Sequence, residues 1–286
     1  MIAAAHAAHP ELSVRRLCAL LGVSRAWYYC GQRADLAAAE AATRLRDAIE
    51  RLVLAFPGDG YRRVAKARQR DGWSVNHKRV LRVMRRESLL CQRKRRFVAT
   101  TDSRHGCRAY PNLLREIVVD RLDQAWVADI TYIRLPTTFV YLACVLDACS
   151  RRCVGWHLSR AIDTGLTLAA LERALAARQP PPGLIHHSDQ GVQYASAAYV
   201  ARLEAAGARM SMAAVGNPYE NAKAESFFKT LKREEVYLKD YQTFAEAQAQ
   251  LARFIDDVYS TKRLHSSLDY RPPAEFEAAH STIGMG

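Results

Sequence analysis

The sequence predicts an α/β fold in which a mixed five-stranded sheet is flanked by helices and preceded by an all-α region. Two observations lead to this prediction. From about residue 116, three consecutive apolar runs follow one another with short connections, as in an antiparallel meander. Helix, strand, helix, strand and helix patterns then alternate, which is typical of a sheet covered by helices.

The net charge of +13 over 286 residues is concentrated in one part of the chain. Residues 1–115 hold 24 Lys and Arg against 9 Asp and Glu, whereas residues 116–286 hold 18 against 20. A basic part joined to a near-neutral part indicates a polyanion-binding region attached to a second function. The alternative is a basic surface that has no particular partner.

Composition excludes several classes of protein. No apolar run reaches the roughly 18 residues of a membrane span, and the first residues lack the pattern of a signal peptide. The seven cysteines are scattered without a CxxC pair, which argues against a zinc site or a disulfide framework. We therefore expect a cytoplasmic protein with free thiols.

Residues 11–29 have the pattern of a helix-turn-helix. Ser13 and Ser24 are N-cap candidates, and residues 21–23 supply the turn. In DNA-binding versions of this motif the second helix enters the major groove, which would place Arg25 near DNA. An ordinary helical hairpin is the alternative.

A second basic helical region follows. An amphipathic helix is predicted over residues 36–54, then helices over residues 61–70 and from the Asn76 cap to about Glu87. The spacing of the basic residues suits phosphate binding, with a solvated basic face as the alternative. The DNA contacts predicted here are Arg62, Arg63, Lys78, Arg79 and Arg82. A basic linker from residue 92 to about 111 completes the region, so we divide the chain into residues 1–56, 57–115 and 116–286.

The last of these regions contains the sheet. Its strand runs cover residues 125–135, 139–148, 152–158, 184–189 and 208–212. Between and after them we predict helices from a Thr164 cap to about Arg178, over residues 196–206 and over residues 243–259. One more helix opens at an Asn217 cap, with Pro218 in its first position and Glu220 completing a capping box.

Three acidic residues lie where the apolar pattern makes a charge costly. Asp129 is in the middle of a strand, and Asp189 ends a buried one. Glu225 is on a helix whose Phe228 and Leu231 indicate an inward face. No basic residue lies beside Asp129 in the sequence to compensate its charge. A cluster made only of carboxylates suits Mg²⁺ or Mn²⁺ and not zinc. Two such ions about 4 Å apart would activate a nucleophile and stabilise the leaving oxygen at phosphorus.

Each acid also has a simpler interpretation. Asp147 is in mid-strand by the same criterion, so a strand aspartate can be purely structural. Asp189 fits an Asx turn before Gly191, and Glu225 fits a helix salt bridge. The spacing adds specificity, because 59 residues separate the two aspartates and 35 separate Asp189 from Glu225.

Four sequence motifs, in this order along the chain, resemble those of a known family: WVADITY at 126–132, HSDQGVQY at 187–194, NAKAESFFKTLK at 221–232 and YSTKRLHSSLDYRPPAEF at 259–276. Together with the motifs at 21–29 and 61–64, they make the chain resemble the transposases of bacterial insertion sequences. The resemblance is to the second reading frame of the insertion sequence 3 family, whose members are relatives of retroviral integrase. Glu220 stands where the family usually has Asp, and Ser260 where it usually has Asn. Neither of these two departures from the family pattern involves Asp129, Asp189 or Glu225.

The resemblance implies an RNase H-like integrase catalytic core with a D,D-35-E triad made of Asp129, Asp189 and Glu225. These would be the catalytic ligands of two Mg²⁺ or Mn²⁺ ions. The implied reaction is strand cleavage and strand transfer at the ends of an insertion sequence, and hence DNA transposition, recombination and integration. Two alternatives stay open: a nuclease with the same core that only hydrolyses, and a DNA-binding regulator with an inactive core.

Further roles follow from the same resemblance. Lys229 and Lys232 would face backbone phosphates, with a solvated face as the alternative. His187 and His265 are candidates for DNA contact or are structural histidines, and Asn221 would support Glu225 or close the helix end. The expected partners are double-stranded DNA at element ends and target, further copies of the chain on DNA, and the product of an upstream reading frame. No membrane partner is expected, and the expected location is the nucleoid of a bacterial cytoplasm.

Overall fold

The computed structural model describes residues 2–91, 110–214 and 221–283. The chain divides into two compact units, Met1–Cys91 and Gln92–Gly286. The predicted basic linker at 92–111 therefore lies almost wholly outside the described residues, as do Asn217, Pro218 and Glu220.

The first unit is all-α, as predicted. Its helices are α1 (Ile2–Ala8), α2 (Val14–Leu20), α3 (Arg25–Ala55), α4 (Tyr61–Arg70) and α5 (His77–Arg86). The side chains of Ser13 and Ser24 accept hydrogen bonds from the backbone N–H groups of Arg16 and Trp27, so both predicted caps are confirmed. Asn76 caps α5 in the same way through the N–H of Arg79.

The separate helix predicted over residues 36–54 is wrong, because those residues form the C-terminal part of α3. Between residues 30 and 36 the sequence has a single glycine and no proline, and one glycine inside a helix costs only about 1 kcal/mol. That penalty is too small to end a helix whose two ends are both packed. The short helix α1 had not been predicted.

Each end of α3 belongs to its own small core. Its start packs with α1 and α2 around Ile2, Leu17 and Cys18, with Tyr28 at the edge. Its end packs with α4 and α5 around a second apolar set, whose members include Leu45, Ile49, Val64, Val80 and Met84. The first unit therefore contains two helical hairpins, one at each end of a long helix.

The second unit contains the predicted mixed five-stranded sheet. Its strands are β1 (Ala125–Arg134), β2 (Phe139–Asp147), β3 (Cys153–Ser159), β4 (Ile185–Ser188) and β5 (Arg209–Met212), in the order β3-β2-β1-β4-β5. The first three strands form the predicted antiparallel meander. Strand β4 runs parallel to both β1 and β5.

Helices cover the sheet. They are α6 (Thr164–Arg178), α7 (Ala197–Ala205), α8 (Ala222–Leu231), α9 (Phe244–Ala252) and α10 (Pro273–Ile283). Two π-helical segments, Lys232–Val236 and Arg253–Tyr259, directly continue α8 and α9. The cap of α6 is Asp163 and not Thr164, since the Asp163 side chain accepts from the backbone N–H of Leu166.

The pleat of β1 divides the core into two layers. Ala125 and Val127 face the apolar cluster shared with α8 and α9. Trp126 and Ala128 face the opposite cluster, shared with α6 and α7. Because side chains alternate along a strand, Asp129 belongs to the same face as Val127, on the side of α8.

Gly155 on β3 lets α6 pack closely against the sheet. A Cβ at this position would lie 2.7 Å from the Cβ of Ala174 and would clash with the carbonyl oxygen of Ala170. We expect Gly155→Ala to lower the free energy of unfolding by about 1–3 kcal/mol, because α6 must move away from β3. Urea denaturation measures this change. Gly60 has open space around its Cβ position, so Gly60→Ala is the control, and an equal loss in both variants would contradict the close-approach argument.

Two findings concern the cysteines and the helices in the described part of the chain. The six cysteines placed there are all free thiols. No helix in that part has the length and apolar character needed to cross a membrane.

Candidate active site

Strand pairing brings the two aspartates together. In the parallel pair of β1 and β4, Trp126 lies opposite His186 and Val127 opposite His187. Continuing that register by two residues places Asp189, which directly follows β4, next to Asp129. Both positions have the parity of Val127, so both side chains belong to the face of the sheet that α8 covers.

The carboxylates also interact electrostatically. The pKa of Asp129 is raised to about 8, first by burial and then by the negative charge of Asp189, with a smaller contribution from Glu225. A hydrogen bond from the backbone N–H of Ile130 to Asp129 Oδ1, at 2.8 Å, opposes this rise. The Asx turn that we considered for Asp189 is also present, because the N–H of Gly191 donates to its Oδ1 at 3.0 Å.

The prediction that Glu225 points into the core is wrong, since its side chain is exposed. The buried face of α8 is formed by Ala224, Phe227, Phe228 and Leu231. Glu225 lies on the flank of that face, where it affects Asp129 without being packed itself. Phe228 and Leu231 alone had suggested a face centred closer to Glu225 than the real one is.

The three carboxylates do not form a closed metal site in this geometry. Within residues 2–91, 110–214 and 221–283, no three His, Cys, Asp or Glu side chains are placed to hold one ion between them. The donor chemistry nevertheless fits a hard divalent cation, because every candidate ligand is a carboxylate and Asp129 is destabilised as an anion by its two acidic neighbours.

Lys232, predicted as a phosphate contact, also lies close to Asp129, which the sequence did not indicate. Its Nζ lies 4.4 Å from the centroid of the Tyr132 ring, two residues beyond Ile130 on β1. Burial lowers the pKa of Lys232, and the nearby carboxylate of Asp129 partly offsets that effect. The two residues are far apart in sequence, so only the packing of α8 against β1 reveals the contact. Lys229, by contrast, is exposed.

Asn221 connects the start of α8 to β1. Its side chain is 6% exposed, and its Nδ2 donates to the carbonyl oxygen of Ala128, the residue before Asp129, at 3.2 Å. Its Oδ1 is buried without a hydrogen-bond partner among the described residues. The prediction that Asn221 has a supporting role agrees with this contact.

The two histidines predicted as DNA contacts are buried. His187 is 0% exposed, and its Nδ1 lies 2.8 Å from Ser211 Oγ on β5. His265 is 9% exposed and packs edge-on against the ring of Tyr259. Because both histidines are buried, the expectation that they contact DNA is corrected. Their packing agrees with the alternative that they are structural histidines.

Asp147 has a structural role at the end of β2, not in mid-strand as the sequence pattern had placed it. Its side chain is fully buried and accepts hydrogen bonds from the backbone N–H groups of Asp123, Cys149 and Ser150. Burial still raises its pKa, although these hydrogen bonds oppose the rise. The bonds hold the turn between β2 and β3.

The basic residues of the first unit divide into two groups. The exposed group contains Arg25, Arg62, Lys78, Arg79 and Arg82. Arg63 differs, because it is half-buried and paired with the carboxylate of Asp59, which corrects its assignment as an open phosphate contact. On α5, the exposed basic residues lie opposite the buried Val80, Val83 and Met84.

Comparison with known families agrees with this architecture. Two family models, both described as "Integrase core domain", match residues 120–218 and 206–273. A third, described as "HTH-like domain", matches residues 40–97, which include the end of α3 with α4 and α5.

Curated relatives cover most of the chain. It is 37% identical over 220 residues to the transposase for insertion sequence element IS904 of Lactococcus lactis subsp. lactis, covering 77% of this chain and 87% of that protein. It is 38% identical over 226 residues to the transposase for insertion sequence element IS629 of Shigella sonnei, covering 79% and 76%. It is 33% identical over 275 residues to transposase InsF for insertion sequence IS3A of Escherichia coli K12, covering 93% and 94%.

Proposed function

Because the chain belongs to the family of insertion-sequence transposases with an integrase core domain, we propose that it cleaves the ends of an insertion sequence and joins them to target DNA. The observation that supports the proposal is that two acidic groups act on Asp129 of the central strand β1. They are Asp189, which directly follows the adjacent strand β4, and Glu225 on α8.

We assign Asp129, Asp189 and Glu225 as the carboxylates that would hold two Mg²⁺ or Mn²⁺ ions, with Asp129 contributing to both. When bound, such ions polarise phosphodiester oxygens and lower the pKa of water. The chain's own residues do the positioning. Strands β1 and β4 would hold Asp129 and Asp189 side by side, and α8 would supply Glu225 from the helix layer that covers this face of the sheet.

Lys232 and Lys229 are proposed to receive the DNA backbone at this site. Lys232 stacks on Tyr132 with its ammonium group close to Asp129, so a phosphate there would lie between the lysine and the carboxylates. Exposed Lys229 lies one turn before Lys232 on the same helical stretch. Positive charge placed where a phosphate must lie is the usual means of orienting it.

The proposal is tested with the purified full chain, element-end DNA and Mg²⁺, with and without the upstream reading-frame product. Denaturing gels separate nicked, joined and unreacted strands. We expect cleavage and joined products that need both the metal and matched ends. Hydrolysis without joining, in both arms, would identify a nuclease, and DNA binding without any cleavage would identify a regulator.

The exposed basic face of α5 is proposed to bind backbone phosphates of double-stranded DNA. We expect Lys78→Gln/Arg82→Gln to weaken binding to all DNA sequences and to reduce the slope of log affinity against log salt by about 2, because each lost phosphate contact removes about 0.9. Fluorescence anisotropy across a salt series measures this. Arg46→Gln is the control, because Arg46 already binds Asp47 through Nε at 3.0 Å and Nη2 at 2.8 Å. An unchanged slope in the double variant would exclude α5 from the DNA interface.

Action in the bacterial nucleoid, assembly of several copies on DNA and partnership with an upstream reading-frame product remain part of the proposal. Sedimentation of the chain with and without paired element ends tests the assembly. A single copy in the cleaving complex with paired ends would contradict it.

A further inference from the structure

The sequence motif at residues 259–276 has no part in the chemistry proposed above. In the structure, its Arg263 forms a two-bond ion pair with Glu234. Arg263 Nε donates to Oε2 at 2.7 Å and Nη2 donates to Oε1 at 2.8 Å. The side chains are 8% and 15% exposed. A bidentate ion pair of this kind fixes the relative orientation of the two segments as well as the distance between them.

Tyr259 adds an aromatic contact at the same place. Its ring packs edge-on against Phe227 and against His265, each with ring centroids 4.8 Å apart. The Arg263 guanidinium lies 5.8 Å from the centroid of the Tyr259 ring. Phe227 is two residues from Glu225 on α8, so the contact reaches the helix close to the proposed ligand.

Both contacts act on one continuous helical stretch. Helix α8 passes without a break into the π-helical segment Lys232–Val236, which carries Glu234. The exposed flank of that stretch holds Glu225, and Lys232 follows two turns later on the same side. Tyr259 ends the other π-helical segment. A π-helical turn changes the direction of the side chains that follow it and is frequent at functional sites.

We propose that Tyr259 and Arg263 form a clamp that sets the position of α8, and so of Glu225 and Lys232, relative to Asp129. The proposal rests on the proposed function. Since Glu225 is exposed, the packing of its own side chain does not hold it, and its place depends on the helix as a whole. Buried ion pairs contribute little net stability compared with apolar packing, so the Glu234–Arg263 pair is better explained by orientation. Both clamp residues are positioning residues and touch no reacting atom.

The test uses the full chain with Arg263→Gln, Glu234→Gln and the double variant Glu234→Gln/Arg263→Gln. Hydrogen exchange of the α8 amides is the readout that does not depend on activity. We expect exchange in α8 to accelerate more than exchange in β1 and β4, where a change reports only the overall loss of stability from a broken buried pair. Cleavage should fall about 10- to 100-fold and need a higher Mg²⁺ concentration, as when a residue that orients metal ligands is removed. The double variant should be no worse than the single ones, because they disrupt one pair.

Glu172→Gln is the matched control. It breaks a pair of the same two-bond geometry, between Arg202 and Glu172 at 2.6 and 3.0 Å, that joins α7 to α6 on the exposed side. Exchange in α8 and the Mg²⁺ requirement should both stay at wild-type values in this variant.

Either of two results overturns the clamp. One is wild-type exchange in α8 with wild-type cleavage in all three variants. The other is faster exchange throughout residues 110–283 with a matching loss of Tm in all three, which would make the pair a general stabiliser. A wild-type chain that never cleaves matched ends would overturn the proposed function instead, while the exchange of α8 would still report on the clamp.

Discussion

Asp129→Asn is expected to lower DNA cleavage and joining by about 10³-fold or more. Removing a ligand that serves both proposed ions forfeits several kcal/mol of transition-state stabilisation, and each 1.4 kcal/mol is a factor of ten. DNA affinity should change little, since the basic residues are untouched. The Tm of the metal-free protein should not fall, because an amide avoids the cost of ionising a carboxyl whose pKa is raised to about 8 by burial and by the charges of Asp189 and Glu225. Gel assays of cleavage, together with calorimetry, measure both effects.

The control for this variant is Asp163→Asn. It makes the same change of carboxylate to amide in the same unit, at the N-cap of α6. Asparagine is as good an N-cap as aspartate, so both activity and stability should be preserved. If Asp129→Asn cleaves DNA at the wild-type rate, the strand aspartate is structural and the assignment of the triad fails.

The sequence predicted the positions of the two aspartates better than it predicted the orientation of Glu225 on its helix. Strand β1 and the end of β4 were predicted from apolar runs, so the sequence located Asp129 and Asp189 correctly on the fold. Their adjacency depends on the parallel pairing of β1 with β4, which a sequence pattern does not contain. Glu225 was located on the right helix but with the wrong exposure, because the buried face is shared by four residues and its centre is set by packing.

Contacts between distant parts of the chain were missed for a related reason. Lys232 against Tyr132 and Arg263 against Glu234 each join segments that lie close together only after the sheet and its covering helices have assembled. The continuity of α3 was missed because local propensity at residues 30–36 is weak, and the two packed ends of the helix decide the outcome. Side-chain caps, by contrast, act within three residues, and Ser13, Ser24 and Asn76 were predicted correctly.

The second large effect is expected at Glu277 on α10. Its buried carboxylate accepts hydrogen bonds from Ser150 Oγ at 2.7 Å, Arg152 Nη1 at 2.7 Å and Arg178 Nη1 at 2.9 Å. These contacts join α10 to the turn after β2 and to the end of α6. Glu277→Gln should lower the free energy of unfolding by about 3 kcal/mol, because among the described residues it leaves the buried Arg178 with Asp123 as its one carboxylate partner.

The pH dependence of this loss distinguishes a charge effect from a packing effect. Burial raises the pKa of Glu277, but the hydrogen bonds from Ser150 and Arg152 and the charge of Arg178 outweigh it, so the pKa lies below its ordinary value. A lowered carboxyl pKa stabilises the fold above the unfolded-state pKa, and that stabilisation disappears as the pH falls through the folded-state pKa. The free energy of unfolding of the wild-type chain should therefore fall to that of Glu277→Gln in acid, as measured by urea denaturation between pH 7 and pH 3.

Exposed Glu204 provides the control, since the free energy of unfolding of Glu204→Gln should stay within about 0.5 kcal/mol of the wild-type value at every pH. A constant difference between Glu277→Gln and the wild type across that range would mean that the carboxylate acts through its shape alone.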